Sequence, residues 1–289
     1  IECGQWADVL RWSERVVHLA EGDPFMGNFI FGSPLALALE SRGTARYSLG
    51  LPGWREDLRH GLEMAHGADP LTYAGVAALG YFPGVSNGVL AADDRAVREI
   101  KDALRLAERA GNDMAPEFAR MALGVALAHR HTVTERDQGL TVMAQVSDVF
   151  AERVHNLGDR PLVDVYLARE WAWRGDTDEA IPLVRSSTER LVREGQLLAW
   201  GIPATAVLVQ TLIDRGGESD VAEATAAIIR LAKAPAEDRL FVRDIWLLRL
   251  HALLARVEGD DVTYRDYRDR YRKMANELGF EGHMQWAEE

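Results

Sequence analysis

Residues 167–183, LAREWAWRGDTDEAIPL, read as the end of one helix, a turn at Gly175-Asp176, and the start of a second helix that folds back on the first. Leu167, Trp171 and Trp173 stand before the turn, and Ala180, Ile181, Leu183 and Val184 stand after it. Apolar residues placed this way are what two antiparallel helices need to pack face to face. A hairpin this small cannot bury its apolar face alone, so its neighbours are expected to be similar.

The same punctuation recurs. Gly217, in IDRGGESDVAEA, lies 42 residues after Gly175, and Gly259, in ARVEGDDVTYRDY, lies 42 further on. Both have helical patterns on either side, a Gly where a helix must end left-handed, and acidic residues where the next helix must begin. Stepping back by 42 reaches Val133, in HRHTVTERDQ, where Thr132 or Thr134 is placed to cap a helix. A further 42 reaches Ala91, in GVLAADDRA, and 38 more reaches Gly53, in LGLPGWREDL. No segment shows the two-residue alternation of a half-buried strand. The expected fold is therefore all-α, a right-handed tetratricopeptide-like solenoid of six helical hairpins with a repeat of 42 residues. That repeat exceeds the standard tetratricopeptide unit of about 34 and approaches the roughly 40–47 of HEAT and armadillo units.

A repeat array grows by adding units and has no single core to outgrow, so all 289 residues are expected to form one continuous domain. The chain opens on Ile1 and enters a helical pattern at once, in IECGQWADVLRW, which gives the expectation of a C-terminal fragment of a longer protein. No apolar run approaches the length of about 18 that spans a bilayer. One cysteine, Cys3, cannot form an internal disulfide, and a reducing cytoplasm fits. The net charge of −12, from 45 acidic and 33 basic residues, opposes attraction to nucleic acid or anionic membrane.

The first helix, from about Gln5 to Ala20, is expected to bury a stripe of Trp6, Val9, Leu10, Val16, Val17 and Leu19. Next comes EGDPFMGNFIFGSP, a connection too apolar for one that runs through water. Either it folds back over the edge of the array, or Phe25, Phe29 and Phe31 anchor an interface with another domain. Ser33-Pro34 is a cap followed by proline at the first turn. A second long loop, GYFPGVSNGVLAAD, is expected between helices at 71–79 and 94–110. In the last helix Tyr264, Tyr267, Tyr271, Met274 and Leu278 form the buried stripe, with Asp266–Arg270 and Asp269–Lys273 paired outside.

Catalytic chemistry finds no foothold. A phosphate-binding P-loop needs Lys followed by Ser or Thr, but Lys101, Lys233 and Lys273 are followed by Asp102, Ala234 and Met274. His129 and His131 are two apart, which separates them on a helix, and with His155 and His283 they read as structural. Asp93-Asp94 and Asp260-Asp261 sit where helix N-termini favour negative charge. No catalytic residue, cofactor site or metal site is expected. The tryptophans mostly read as core, with one further reading: Arg169, Trp173, Trp200 and Arg243, on or near the first helices of their hairpins, as contributors to a groove for a peptide or small molecule.

Several stretches carry a family resemblance: FGSPLALALESRGTARYSLGLPGWREDL, MALGVALAHR, VYLAREWAWRGDTDEAIPL, EGQLLAWGIPATAVLV, DIWLLRLHALLARVEGDD and ELGFEGHMQWAEE. Together they resemble the C-terminal helical region of large actinobacterial, especially mycobacterial, signalling proteins. In that family an adenylate/guanylate cyclase domain commonly precedes a P-loop ATPase module, and some relatives, STAND-type transcriptional regulators, carry a LuxR-type DNA-binding domain. The resemblance implies a non-catalytic regulatory and protein-interaction scaffold acting on its own upstream cyclase and ATPase domains or on another protein. The alternative it leaves open is a helical domain that senses a small ligand and controls an attached NTPase, cyclase or DNA-binding domain. No catalytic residue carries over, because the cAMP- and ATP-handling motifs belong to the other domains.

Overall fold

The computed structural model describes residues 3–29, 32–111, 115–152, 159–236 and 239–288, and among them it is helix and connection with no strand. The helices are α1 (Trp6–Ala20), α2 (Pro34–Ser48), α3 (Trp54–His66), α4 (Pro70–Ser86), α5 (Asp94–Arg109), α6 (Ala115–Ala128) and α7 (Val133–Glu152). They continue as α8 (Arg160–Trp173), α9 (Thr177–Arg193), α10 (Gly201–Arg215), α11 (Asp220–Lys233), α12 (Phe241–Glu258), α13 (Asp261–Leu278) and α14 (Glu281–Trp286). None of these is long and apolar enough to cross a membrane. The chain divides into two compact units. The first comprises Gln5–Ser86 and Leu90–Val142, and the second comprises Asn87–Val89 and the chain from Met143 onward, with Gly4.

All six expected turns coincide with a connection or its edge. Gly53 precedes α3, Ala91 lies between α4 and α5, Val133 opens α7, Gly175 separates α8 from α9, Gly217 precedes α11, and Gly259 ends α12. Local chemistry sets these boundaries. Ser33 accepts from the Ala36 amide at 3.2 Å, Asp93 from Ala96 at 2.8 Å, Thr132 from Glu135 at 3.2 Å and Asp260 from Thr263 at 3.0 Å. Each bond satisfies an amide that the first helical turn leaves without a partner. Because Ser33 is fully buried, water cannot replace its hydroxyl. Ser33→Ala should cost about 1 kcal/mol, read as a lower urea midpoint at unchanged slope; an unchanged midpoint would show that α2 starts without this cap.

Within the first unit, α2 packs on both α3 and α4, which pack on each other, and α4 stands in the same relation to α5 and α6. Within the second, α8 packs on α9 and α10, and α10 on α11 and α12, with the same mutual contact. Small residues let these backbones approach. A Cβ on Gly61 of α3 would stand 3.0 Å from the Ala36 carbonyl of α2, and one on Gly139 of α7 would stand 2.9 Å from the Gly124 carbonyl of α6. Polar clamps add to the packing: Asp57 of α3, buried, takes the Arg42 Nε at 2.9 Å and the Arg46 guanidinium at 2.7 Å from α2. In α8 the fully buried Glu170 takes Arg174 at 3.0 Å.

Three expectations need correction. Residues 81–86 do not belong to a loop: α4 runs through Gly80, Pro83 and Gly84 to Ser86. Nearly every residue of α4 is buried, and burial on all sides outweighs the poor helix propensity of glycine and proline. In α1 the buried residues are Trp6, Ser13 and Ala20, while Val16 and Leu19 face solvent together with Trp12. The helix packs on α2 along one side only, so part of the apolar stripe is left uncovered. In α13 the exposed pairing is Asp266–Arg270 at 3.1 Å as expected, but Lys273 lies by Glu277 at 3.9 Å and not by Asp269.

Candidate interaction surface

The described part of the connection from α1 to α2 has a braced backbone under exposed aromatic side chains. The Phe25 amide donates to the Asp23 carboxylate at 2.9 Å, Asn28 to the Phe25 carbonyl at 3.2 Å and Phe29 to the Gly27 carbonyl at 2.8 Å. Farther along, the Gly32 amide donates to the Asp69 carboxylate at 2.9 Å and to the Thr72 hydroxyl at 2.8 Å. A Cβ at Gly32 would sit 1.9 Å from that carboxylate, so only glycine permits the approach. Burial pushes the Asp69 carboxyl up, but the hydrogen bonds from Thr72, Gly32 and Leu71 outweigh it and leave the group below its ordinary value. On this frame Phe29 is 95% exposed and Phe25 is 51% exposed, with Met26 beside them. Phe31 lies outside the described residues. Trp12, 59% exposed, and Leu19 and Val16 of α1 extend the apolar area of the same unit.

Beside this loop an open groove of about 570 Å³ runs between α1 and α2. Val9, Trp12 and Val16 wall one side and Leu37 and Ala38 the other, with Ser13 and Ser41 among the lining residues. The Ser13 hydroxyl donates to the Val9 and Leu10 carbonyls at 2.7 and 2.9 Å, and Ser41 turns to Glu40 at 3.4 Å. These hydroxyls are engaged within their own helices and Asp8, at the same groove with Gln5, pairs with Arg11 at 2.8 Å, so the groove offers an occupant mainly apolar contact.

The four residues of the expected Trp/Arg groove have different surroundings. Trp173 ends α8 half exposed under the Arg174 guanidinium, 5.5 Å from its ring. Trp200 is buried just before α10. Arg169 lies 3.9 Å from Glu170 and 5.8 Å from the Tyr166 ring. Arg243 of α12 donates to the Ala234 carbonyl at 2.9 Å.

His129 sets a ring nitrogen 2.9 Å from the Val125 carbonyl one turn back, while His155 lies outside the described residues. His283 takes part in a buried assembly that the sequence did not announce. Its ring lies 4.9 Å from Trp246, 5.1 Å from Trp286 and 3.0 Å from the Tyr271 hydroxyl. The amides of Glu281 and His283 donate to the Val89 and Gly88 carbonyls, each at 2.9 Å. Burial, then the nearby Arg249 charge, hold the imidazole well below its ordinary value despite an opposing bond to the Asn87 backbone, so the ring is neutral. The signal available in the sequence was GFEGHMQW, a His and a Trp three apart after a glycine.

Glu40 is the other buried titratable group of note. Its carboxyl accepts from Thr44 at 2.8 Å inside α2, and burial pushes it up to about 7 against the smaller opposing effect of the Thr44 and Ser41 bonds. The side chain is almost wholly shut off from water, so this shift bears on stability. Among the described residues no group of His, Cys, Asp and Glu is placed to hold a metal ion. No protein-family model matches the chain, and a search of curated proteins returns no match.

Proposed function

We propose that this chain is a non-catalytic interaction scaffold, a tetratricopeptide-like array of six hairpins whose partners are catalytic domains of the same polypeptide or another protein. The family resemblance suggests a cyclase and an ATPase as those domains and the actinobacterial cytoplasm as the setting. The recurrence of one packing relation in both units, each first helix lying on the pair that follows it, supports the solenoid reading and its repeat of 42 residues.

The observation that carries the functional reading is Phe29, an aromatic side chain almost wholly in water on a hydrogen-bonded loop. Exposed aromatics held on an ordered backbone are efficient interface anchors, because the backbone is already fixed and a phenyl ring offers a large apolar area with only two side-chain torsions to order on binding. The ligand-sensing alternative is less well supported, since of the polar residues lining the α1/α2 groove Ser13 and Ser41 bond within their own helices and Asp8 pairs with Arg11 at 2.8 Å.

Replacing Phe25 and Phe29 with Ser should leave the unfolding free energy of the isolated chain within about 0.5 kcal/mol of the parent, as for other surface changes. In the polypeptide that carries the cyclase and ATPase domains the same change should alter nucleotide turnover. A clear loss of stability in the isolated chain would make the loop a lid, and unchanged turnover would remove it as the interface.

A further inference from the structure

We infer that the groove between α1 and α2 is the seat of an amphipathic helix contributed by a protein segment outside these 289 residues. The inference rests on the interaction reading and specifies the partner. Its ground is a packing relation met four times in the chain. The pairs α3/α4, α5/α6, α9/α10 and α11/α12 each hold a helix against both members: α2, α4, α8 and α10 respectively. The pair α1/α2 is built in the same way, with its two helices packed on each other, and no described helix fills its groove.

The residues along the groove follow helical spacing on both walls. On α1 and its N-cap they are Gln5, Asp8, Val9, Trp12, Ser13 and Val16, and on α2 Pro34, Leu37, Ala38 and Ser41. Each set occupies one face of its helix, three and four residues apart, which forms a straight channel matched to a third rod. The filled seats show what the rod must present. In the α5/α6 seat, Ala77 of α4 packs with Ala103, and Ala74 with Ala107, Ala115 and Ala119. In the α3/α4 seat, Ala36 of α2 lies at the level of Gly61, where the backbones nearly touch. An occupant of the α1/α2 groove therefore carries a stripe of Ala, Gly or Thr at the closest approach, flanked by Leu or Val that cover Trp12 and Val16. A ligand recognised mainly through hydrogen bonds is disfavoured, because Ser13 and Ser41 are already engaged and Asp8 is paired with Arg11.

The test uses hydrocarbon-stapled, fluorescein-labelled peptides with the sequences of α2, α4, α8 and α10, the helices that fill the equivalent seats. Stapling removes the marginal helicity of so short a segment in water. Anisotropy titration against the full chain should show at least one peptide binding, and Ser41→Trp, which fills the channel, should weaken it about tenfold or more, one decade in Kd. Val16→Glu, at a position already open to solvent, supplies the same test without touching the core, so misfolding of the tryptophan variant does not decide the matter. Absence of binding by all four peptides up to about 1 mM, the weak end of measurable affinity, overturns the inference. So does binding that neither substitution changes. The Phe25→Ser/Phe29→Ser chain should retain peptide affinity. Loss of the loop effect on turnover with intact peptide binding would then overturn the loop interface alone, and the converse would overturn the helix seat alone.

Discussion

Gly139→Leu should destabilise the first unit by several kcal/mol, more than any surface substitution in the chain. Gly139 lies on α7 against α6, and a Cβ there would stand 2.9 Å from the Gly124 carbonyl oxygen, 3.0 Å from the Ala128 amide nitrogen and 3.0 Å from the Leu127 Cβ. Two of the three neighbours are backbone, which cannot swing aside as a side chain can. Relief requires the helices to separate, and separation strips contacts along their length. An overpacking substitution typically costs roughly 1–3 kcal/mol and occasionally more, and four added carbons pressed against backbone put this one in the upper part of the mutational range. The control is Gly75 of α4, also buried and helical, where an added Cβ meets nothing within 4 Å. Gly75→Ala should be neutral or stabilising by about 0.5–1 kcal/mol, through helix propensity alone. Urea titrations of both variants decide it, and a Gly139→Leu midpoint equal to the parent's would mean that α6 and α7 do not meet at this register.

The second large effect is on pH. Glu40 is wholly buried, and its carboxyl is pushed from the ordinary 4.5 up to about 7. The folded chain therefore holds a proton that the unfolded chain gives up. Stability from this group is fully present below about pH 4.5, declines as pH rises, and is lost once pH passes about 7; the total is about 3 kcal/mol. His283 acts in the opposite sense in the second unit. Its folded value lies below the ordinary 6.5, so its contribution is present above that pH and declines as the solution becomes more acidic. Wild-type curves mix the two trends, and the difference between wild type and Glu40→Gln isolates Glu40. Glutamine keeps an acceptor for Thr44 and carries no charge at any pH. Relative to wild type, the Gln variant should gain about 3 kcal/mol between pH 5 and pH 8 in urea titrations. Parallel stability profiles for the two proteins would place the Glu40 carboxylate in contact with water.

The candidate surface was partly legible in the sequence. Phe25 and Phe29 stood out because a connection rich in aromatics departs from the polar norm, and the structure leaves both exposed. The groove beside them was not legible, because Ser13, Ala38 and Ser41 form a channel only when two helices bring them face to face. The stripe assigned to α1 failed at Val16 and Leu19 for a related reason. Periodicity shows that a helix has an apolar face, and only the neighbouring helix determines how much of that face is covered.

Several helix boundaries were determined by the sequence itself. Ser33, Asp93, Thr132 and Asp260 cap the amides two or three residues ahead of them, and Gly53, Gly175 and Gly259 adopt the left-handed backbone that a turn between helices requires. These interactions span a few residues, so the chain carries their instructions in adjacent letters. What only the tertiary structure decided involves partners far apart in the chain. Burial carried α4 through Pro83, and the facing backbones at Gly61 and Gly139 explain two glycines that interrupt nothing. Gly88, with a left-handed φ of +66°, lies where any Cβ would reach within 2.4 Å of the Trp286 ring. Each of these depends on a surface brought up by folding, and the one-dimensional pattern holds no record of which surface that is.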